Sequence, residues 1–151
     1  MESPVPRLDI RVLGTLSARV NDADIELGGT KQRRLLTVLL LRANRAVAAS
    51  EIIDGLWPDS PPRTARKNLH VYVCGLRKTL TDRIRTSGNG YVFGAGAAEL
   101  DLLRFEDLTV AGRRAARNGN PAAAADLLGA AVRLWRAAEA GRRTVRRVPA
   151  G

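Results

Sequence analysis

The sequence holds one cysteine, Cys74, and one histidine, His70, in 151 residues. A lone thiol cannot close an internal disulfide, and one histidine with one cysteine falls short of a zinc ligand set. No histidine stands in a pattern with serine or cysteine that suggests a nucleophilic dyad. The run Gly28-Gly29-Thr30-Lys31 has a lysine after glycines but not the spacing of a phosphate loop. These absences argue against an enzyme and give no reason to expect a cofactor or metal. Aromatic residues are only 4% of the chain, too few for a platform that stacks unpaired bases, so RNA is a weak alternative. No apolar run exceeds the four residues of Val38–Leu41, far short of a membrane span. Met1 to Leu8 is polar and broken by proline, unlike a secretory signal. A soluble, cytoplasmic chain with no membrane partner is expected.

What is abundant is positive charge. Lys and Arg number 25 against 15 Asp and Glu, a net charge of +10, with a pI near 11.2. Such a balance points to a polyanion. Of the 25 basic residues 22 are arginine and alanine is frequent, as a GC-rich coding sequence produces by drift, so the position of the charge carries more than its total. Residues 63–85 hold seven basic side chains and one acid, Asp82, for a net +6, whereas the other 128 residues supply +4.

Periodicity places this segment. Residues 8–13 and 16–20 alternate apolar and polar, and Ile25 with Leu27 suggests a third short strand, giving a small antiparallel sheet. Thr30 is positioned to cap a helix with apolar residues at 35, 36, 39, 40 and 43, ended by Asn44. Residues 46–48 suit a short strand, and Ser50 a cap for a helix through Trp57. After the rigid break Pro58-Asp59-Ser60-Pro61-Pro62, Thr64 is the expected N-cap of a third helix to about Leu80. At 100° per residue, Ala65, Val73, Leu76 and Leu80 fall within roughly 40° of Leu69, an apolar stripe. Arg63, Lys67, Val71, Cys74 and Lys78 take the opposite face, with Thr64 and His70 on its flanks. Residues 83–86 and 91–93 around Ser87-Gly88-Asn89-Gly90 make a β-hairpin. Asp101 is placed to cap a helix to about Gly119, and Pro121 to start another to about Ala138.

Two helices, a Pro-rich turn and a hairpin describe a winged helix-turn-helix, and the amino-terminal sheet narrows it to the OmpR type. The fold class is α+β, with a winged-helix domain over 7–95, a helical hairpin over 99–138 and a basic, disordered tail over 139–151. The first turn of the third helix carries Arg66 and Lys67 where the helix dipole favours acids by about 0.3–1 kcal/mol each. A phosphate bound there reverses the sign. Lys67 and His70 are placed to donate to base edges and Val71 to meet a thymine methyl. Arg77 and Lys78 suit phosphates. In the hairpin, Arg83, Arg85 and Thr86 are candidates for the DNA backbone, and Tyr91 or Asn89 for the minor groove. Plainer roles compete. His70 can be an ordinary surface residue, Cys74 simply small, and Tyr91 packed on the third helix. Arg33 and Arg34 are either an exposed face or phosphate contacts. Trp57, Leu69 and Phe93 belong to the expected core.

The segments IRVLG, GGTKQRRLLTVLLLRANR, IIDGLWPDSPPRTARKNLHVYVCGLRKTL and IRTSGNGYVF resemble the Streptomyces antibiotic regulatory protein family, in which an OmpR-type DNA-binding domain precedes a helical bacterial transcriptional activation domain. The resemblance covers residues 7–137. It implies an activator of secondary-metabolite gene clusters that binds promoter direct repeats in double-stranded DNA as a side-by-side homodimer and recruits RNA polymerase. It makes 64–80 the recognition helix, with Arg66, Lys67, His70, Arg77 and Lys78 facing DNA, residues 83–93 the wing, and Pro58, Asp59, Ser60, Pro61 and Pro62 the segment that meets polymerase. Cys74 and Gly75 depart from the family pattern of Ser followed by a polar or basic residue, and Gly75 costs about 1 kcal/mol of helix propensity. The tetratricopeptide-like pattern fails after Trp135, so the activation domain reads as incomplete, since helical repeats need neighbours to bury their faces. The rival reading is a protein-interaction module that docks a partner on helices 101–138, or a DNA binder that cannot activate.

Overall fold

The computed structural model describes residues 6–147. In chain order the elements are β1 (Leu8–Arg11), β2 (Ser17–Val20), β3 (Ala23–Asp24), α1 (Thr30–Leu41), β4 (Val47–Ala48), α2 (Ala49–Leu56), α3 (Ala65–Leu80), a 3₁₀ turn (Thr81–Arg83), β5 (Ile84–Ser87), β6 (Gly90–Phe93), α4 (Asp101–Arg117) and α5 (Pro121–Arg147). The fold is α+β. By contacts the chain divides into residues 23–95 and a discontinuous unit drawn from 1–22 and 96–151. This differs from a winged-helix domain spanning 7–95, because β1 finds partners near residue 100.

In the unit over 23–95, α1 buries Leu35, Leu36, Leu39 and Leu40 completely. The i, i+1, i+4, i+5 spacing gathers them on one side, and each contributes about 1.5–3 kcal/mol on leaving water. They meet Ile52 and Leu56 of α2 and Leu69, Val73 and Leu76 of α3 in one apolar core. The stripe foreseen on α3 is the buried one: Ala65, Leu69, Val73, Leu76 and Leu80. Leu69 and Phe93 are core as expected. Trp57 is half-buried instead, its ring 6.4 Å from that of Tyr72 and beneath the Lys31 ammonium at 5.2 Å. Lys31 also donates to the Leu56 carbonyl.

Two cap assignments change in this unit. The N-caps of α1 and α2 are Gly29 and Ala48, without side-chain cap bonds, so Thr30 and Ser50 lie inside their helices. The Ala49 N–H is taken up by the Asn89 carbonyl at 3.2 Å, which satisfies one of the free N–H groups at the start of α2. The third strand is Ala23–Asp24, not the Ile25–Leu27 segment. Leu27 is nonetheless buried. Asn44, at φ 67°, follows α1. Its side chain exchanges bonds with the Ala95 backbone in both directions, at 2.9 and 3.0 Å.

The second sheet of the fold has the order β4-β6-β5, all antiparallel. Ile84 opposes Phe93 and Thr86 opposes Tyr91, with a two-residue loop at Gly88-Asn89. Gly88 has φ +56° and Asn89 is not left-handed, the pattern of a type II′ hairpin. Gly90 has another reason to be glycine: a Cβ there would overlap the Val47 carbonyl oxygen of β4.

In the discontinuous unit, β1 pairs antiparallel with β2, Leu8 opposite Val20. The Ile10 N–H donates to the Glu99 carbonyl at 2.7 Å, and Ile10 forms a parallel bridge with Leu100. Asp101 is the first residue of α4 and Leu100 its N-cap. The Asp101 carboxylate therefore does not cap its helix as expected. It accepts the Val12 and Leu13 N–H groups. α4 and α5 pack as an antiparallel hairpin in which Gly112 lets the Leu128 side chain approach so closely that a Cβ would lie 2.6 Å from it. Between them Gly119 turns at φ +73° and Asn120 accepts the Ala123 N–H at 3.2 Å. The Phe105 and Trp135 rings stand 5.7 Å apart. α5 runs to Arg147, so the backbone of 139–147 continues the helix where a disordered tail was expected. Residues 148–151 of that tail lie outside the described residues.

Candidate nucleic-acid interface

α3 and the β5–β6 hairpin carry the concentrated positive charge. Because Leu69, Val73 and Leu76 hold one side of α3 against the core, helical geometry obliges the other to face solvent. Arg63, Thr64, Arg66, Lys67, His70, Val71, Cys74 and Lys78 are all exposed. Thr64 occupies the N-cap position, its carbonyl accepting the Asn68 N–H at 2.8 Å and its hydroxyl accepting from Asn68 Nδ2 at 3.2 Å. The first turn of α3 holds no acid, so Arg66 and Lys67 surround the positive end of the helix dipole without compensation.

Along this face His70 Nε2 lies 3.7 Å from Cys74 Sγ, one helical turn apart. Val71, at 58% exposed, is the most exposed of the large apolar side chains among the described residues. Gly75 is explained by α1: a Cβ would lie 2.5 Å from Gln32 Oε1, so the glycine that weakens α3 lets the Gln32 amide lie against it.

The basic residues differ in how they are held. Arg63, Arg66, Lys67, Lys78 and Arg85 extend from the surface with no hydrogen bond or ion pair among the described residues. Arg77 and Arg83 are half-buried. Arg83 donates to the Gly94 carbonyl at 3.4 Å, at the base of the hairpin. Arg77 donates through Nε to the Ile84 carbonyl at 3.0 Å and through a terminal nitrogen to Thr86 Oγ1 at 3.1 Å. Its guanidinium also sits 5.7 Å from the centre of the Tyr91 ring. Of the two placements open to Tyr91, this one sets it beside α3. Thr86 is exposed while its hydroxyl serves Arg77. These inward bonds were not legible in the sequence, where Arg77 registers only as a charge on the flank of the helix.

Pro58, Asp59, Ser60, Pro61 and Pro62 form an exposed connection between α2 and α3. Of the arginines left open on α1, Arg34 is exposed and Arg33 half-buried. No group of three metal-ligating side chains gathers among the described residues, and no helix there is long and apolar enough to cross a membrane.

Comparison with known proteins agrees with this geometry. Residues 22–93 match the family described as transcriptional regulatory protein, C terminal, and residues 100–148 match the bacterial transcriptional activator domain. The chain is 36% identical over 137 residues to the transcriptional regulatory protein MoaR1 of Mycobacterium tuberculosis, covering 85% of this chain and 44% of that protein. It is 39% identical over 126 residues to the regulatory protein AfsR of Streptomyces coelicolor, covering 82% of this chain and 13% of AfsR. The solved structure of Mycobacterium tuberculosis EmbR in complex with a low affinity phosphopeptide superposes with a TM-score of 0.79 at 33% identity, over 87% of this chain and 36% of that one. This chain thus spans less than half the length of each of these relatives. Both of its matched segments, in this order, place it in the Streptomyces antibiotic regulatory protein family of transcriptional regulators.

Proposed function

We propose that this chain is a sequence-specific DNA-binding transcriptional activator, with α3 lying in the major groove and the β5–β6 hairpin as its wing. The observation that carries this reading is the exposure, on the side of α3 away from the core, of Arg63, Lys67 and Lys78 around His70, Val71 and Cys74, with Arg66 exposed in its first turn. Small or apolar residues at the centre of a basic face allow close approach to base edges, and the flanking cations neutralise phosphates. Lys67, His70 and Val71 face bases; Arg63, Thr64, Arg66, Lys78 and Arg85 face the backbone, with Arg83 at the wing's root and Thr86 and Tyr91 on its inner side. Binding to promoter direct repeats by side-by-side copies, polymerase contact through residues 58–62 and control of secondary-metabolite genes complete the proposal.

A gel shift of the full chain on a tandem-repeat promoter duplex, in excess nonspecific DNA, tests it. A selective shift that weakens steeply with salt is expected. Equal binding to scrambled duplex at all salt concentrations overturns sequence-specific recognition.

A second reading has its own observation. Val110, Val132 and Trp135 are exposed on the α4–α5 hairpin, and exposed apolar side chains suit a protein partner. If this hairpin were the working surface, Trp135→Ala would abolish partner capture while Lys67→Ala left it intact.

A further inference from the structure

Resting on the DNA-binding reading, we infer that Arg77 is a positioning residue: it fixes the angle of the wing to the recognition helix by gripping β5 from α3, and is not itself one of the phosphate contacts. The hairpin leaves α3 through a three-residue 3₁₀ turn, Thr81–Arg83, and β5 is the edge strand of its sheet, bonded to β6 alone. An edge strand on a short connection retains freedom to twist unless something else holds it. Arg77 supplies that hold. Its Nε–H reaches the Ile84 carbonyl at 3.0 Å and its terminal nitrogen the Thr86 hydroxyl at 3.1 Å, so one rigid group fastens β5 at two rungs, on either side of the Arg85–Val92 rung. Thr86 opposes Tyr91 in the register, and the Tyr91 ring lies 5.7 Å from the same guanidinium. Both strands are therefore engaged at a single level of the hairpin.

The chemistry requires arginine. A planar guanidinium presents Nε and terminal N–H donors in a fixed fork, whereas a lysine ammonium is a point charge on a flexible stem. A phosphate contact tolerates lysine far better than a two-point clamp does. The contrast with Lys78 is instructive: it is the next residue, exposed and unbonded within the described chain, free to meet a phosphate. Alternation along β5 sends Arg85 to the face opposite Thr86, so the strand Arg77 holds on one side presents Arg85 on the other. Fixing the strand fixes where that cation points.

The test uses the full chain with Arg77→Ala, Arg77→Lys, Thr86→Val and Thr86→Ser, and reads two quantities. Amide hydrogen exchange of residues 84–93 in the free protein reports the clamp without DNA; affinity for the tandem-repeat duplex reports its consequence. Both Arg77 variants are expected to speed hairpin exchange about tenfold while α1 stays protected, and to lower affinity about tenfold. Thr86→Val should speed exchange as well, and Thr86→Ser, which keeps the hydroxyl, should not. Restoration of affinity by Arg77→Lys with hairpin exchange as in the parent overturns the inference and makes Arg77 a phosphate contact. If Arg77→Ala also exposes α1, the Thr86 pair decides: equal exchange in Val and Ser variants overturns it. Should even the parent chain fail to bind duplex, the DNA reading falls while the exchange data still judge the clamp.

Discussion

The Asp101 carboxylate accepts the Val12 N–H at 2.9 Å across 89 residues of chain, and its second oxygen accepts the Leu13 N–H at 3.3 Å. Asp101 is 4% exposed, so the end of β1 has its amides satisfied by a side chain on the first turn of α4. The negative charge also sits at the favourable end of that helix. Asp101→Ala leaves two amides without this acceptor, and is expected to destabilise the discontinuous unit by about 3 kcal/mol. Urea unfolding followed by Trp135 emission, with Trp57 replaced by Phe, measures it. A loss below about 0.5 kcal/mol would show the amides to be rehydrated at little cost.

Arg63 and Arg66 stand unpaired at the start of α3 among the described residues. Each phosphate contact removed should flatten the dependence of log K on log salt by about 0.9. Arg63→Ala with Arg66→Ala is therefore expected to reduce the slope by about 1.8 and weaken specific and nonspecific binding alike. A slope unchanged by the pair refutes a phosphate site at this helix end.

Val71 makes a different prediction, because it offers shape without charge. At 58% exposed, its replacement by Ser should change stability by no more than about 0.5 kcal/mol and leave the salt slope alone. Discrimination at one thymine position should fall by about 1 kcal/mol. Competition between the parent site and a duplex with uracil at that position measures this directly. Identical ratios for parent and variant would remove Val71 from base contact.

Gly90 is set by backbone proximity. Gly90→Ala forces a methyl group into the Val47 carbonyl, and the separation of β4 from β6 should cost about 3 kcal/mol or more. Gly88→Ala meets no neighbour and suffers only its positive φ, about 1 kcal/mol. Chemical denaturation followed by Trp57 emission ranks the two, and the reverse order would contradict the β4–β6 pairing.

The connection over residues 58–62 is exposed and lies outside the basic face. Asp59→Ala is expected to leave duplex affinity within a factor of about two and to lower activation in a reporter assay. Full activation by this variant would remove Asp59 from polymerase contact.

α3 was legible because one physical cause, burial of a stripe, writes itself at 3.6-residue intervals. Leu69, Val73 and Leu76 fixed which side is inward and hence which cations are outward. The hairpin was legible through Gly88 and its flanking strands. Caps were harder: Thr30, Ser50 and Asp101 have capping chemistry, but each lies one or more residues inside its helix, and Asp101 spends its carboxylate on Val12 and Leu13. The extension of α5 past Ala138 escaped notice because its apolar period lapses, although alanine and arginine are strong helix formers. The grouping of β1 with α4 had no local signature, since Ile10 and Glu99 meet from opposite ends of the chain. Nor does any spacing report where a guanidinium terminates, which is why Arg77 looked outward and is bonded inward.

The Asp101–Val12 and Glu99–Ile10 bonds give this molecule an order of assembly. As the ribosome extends the polypeptide, β1 meets β2 at once, but the Ile10, Val12 and Leu13 amides must wait for roughly ninety further amino acids before Glu99 and Asp101 exist, a long closure with its own entropic burden. Residues 23–95, by contrast, have their own apolar core to fold around before α4 is translated. A nascent chain stalled between Gly94 and Leu100 would thus present a finished middle and an unsatisfied beginning, making the amino-terminal strands the stretch most in need of a chaperone.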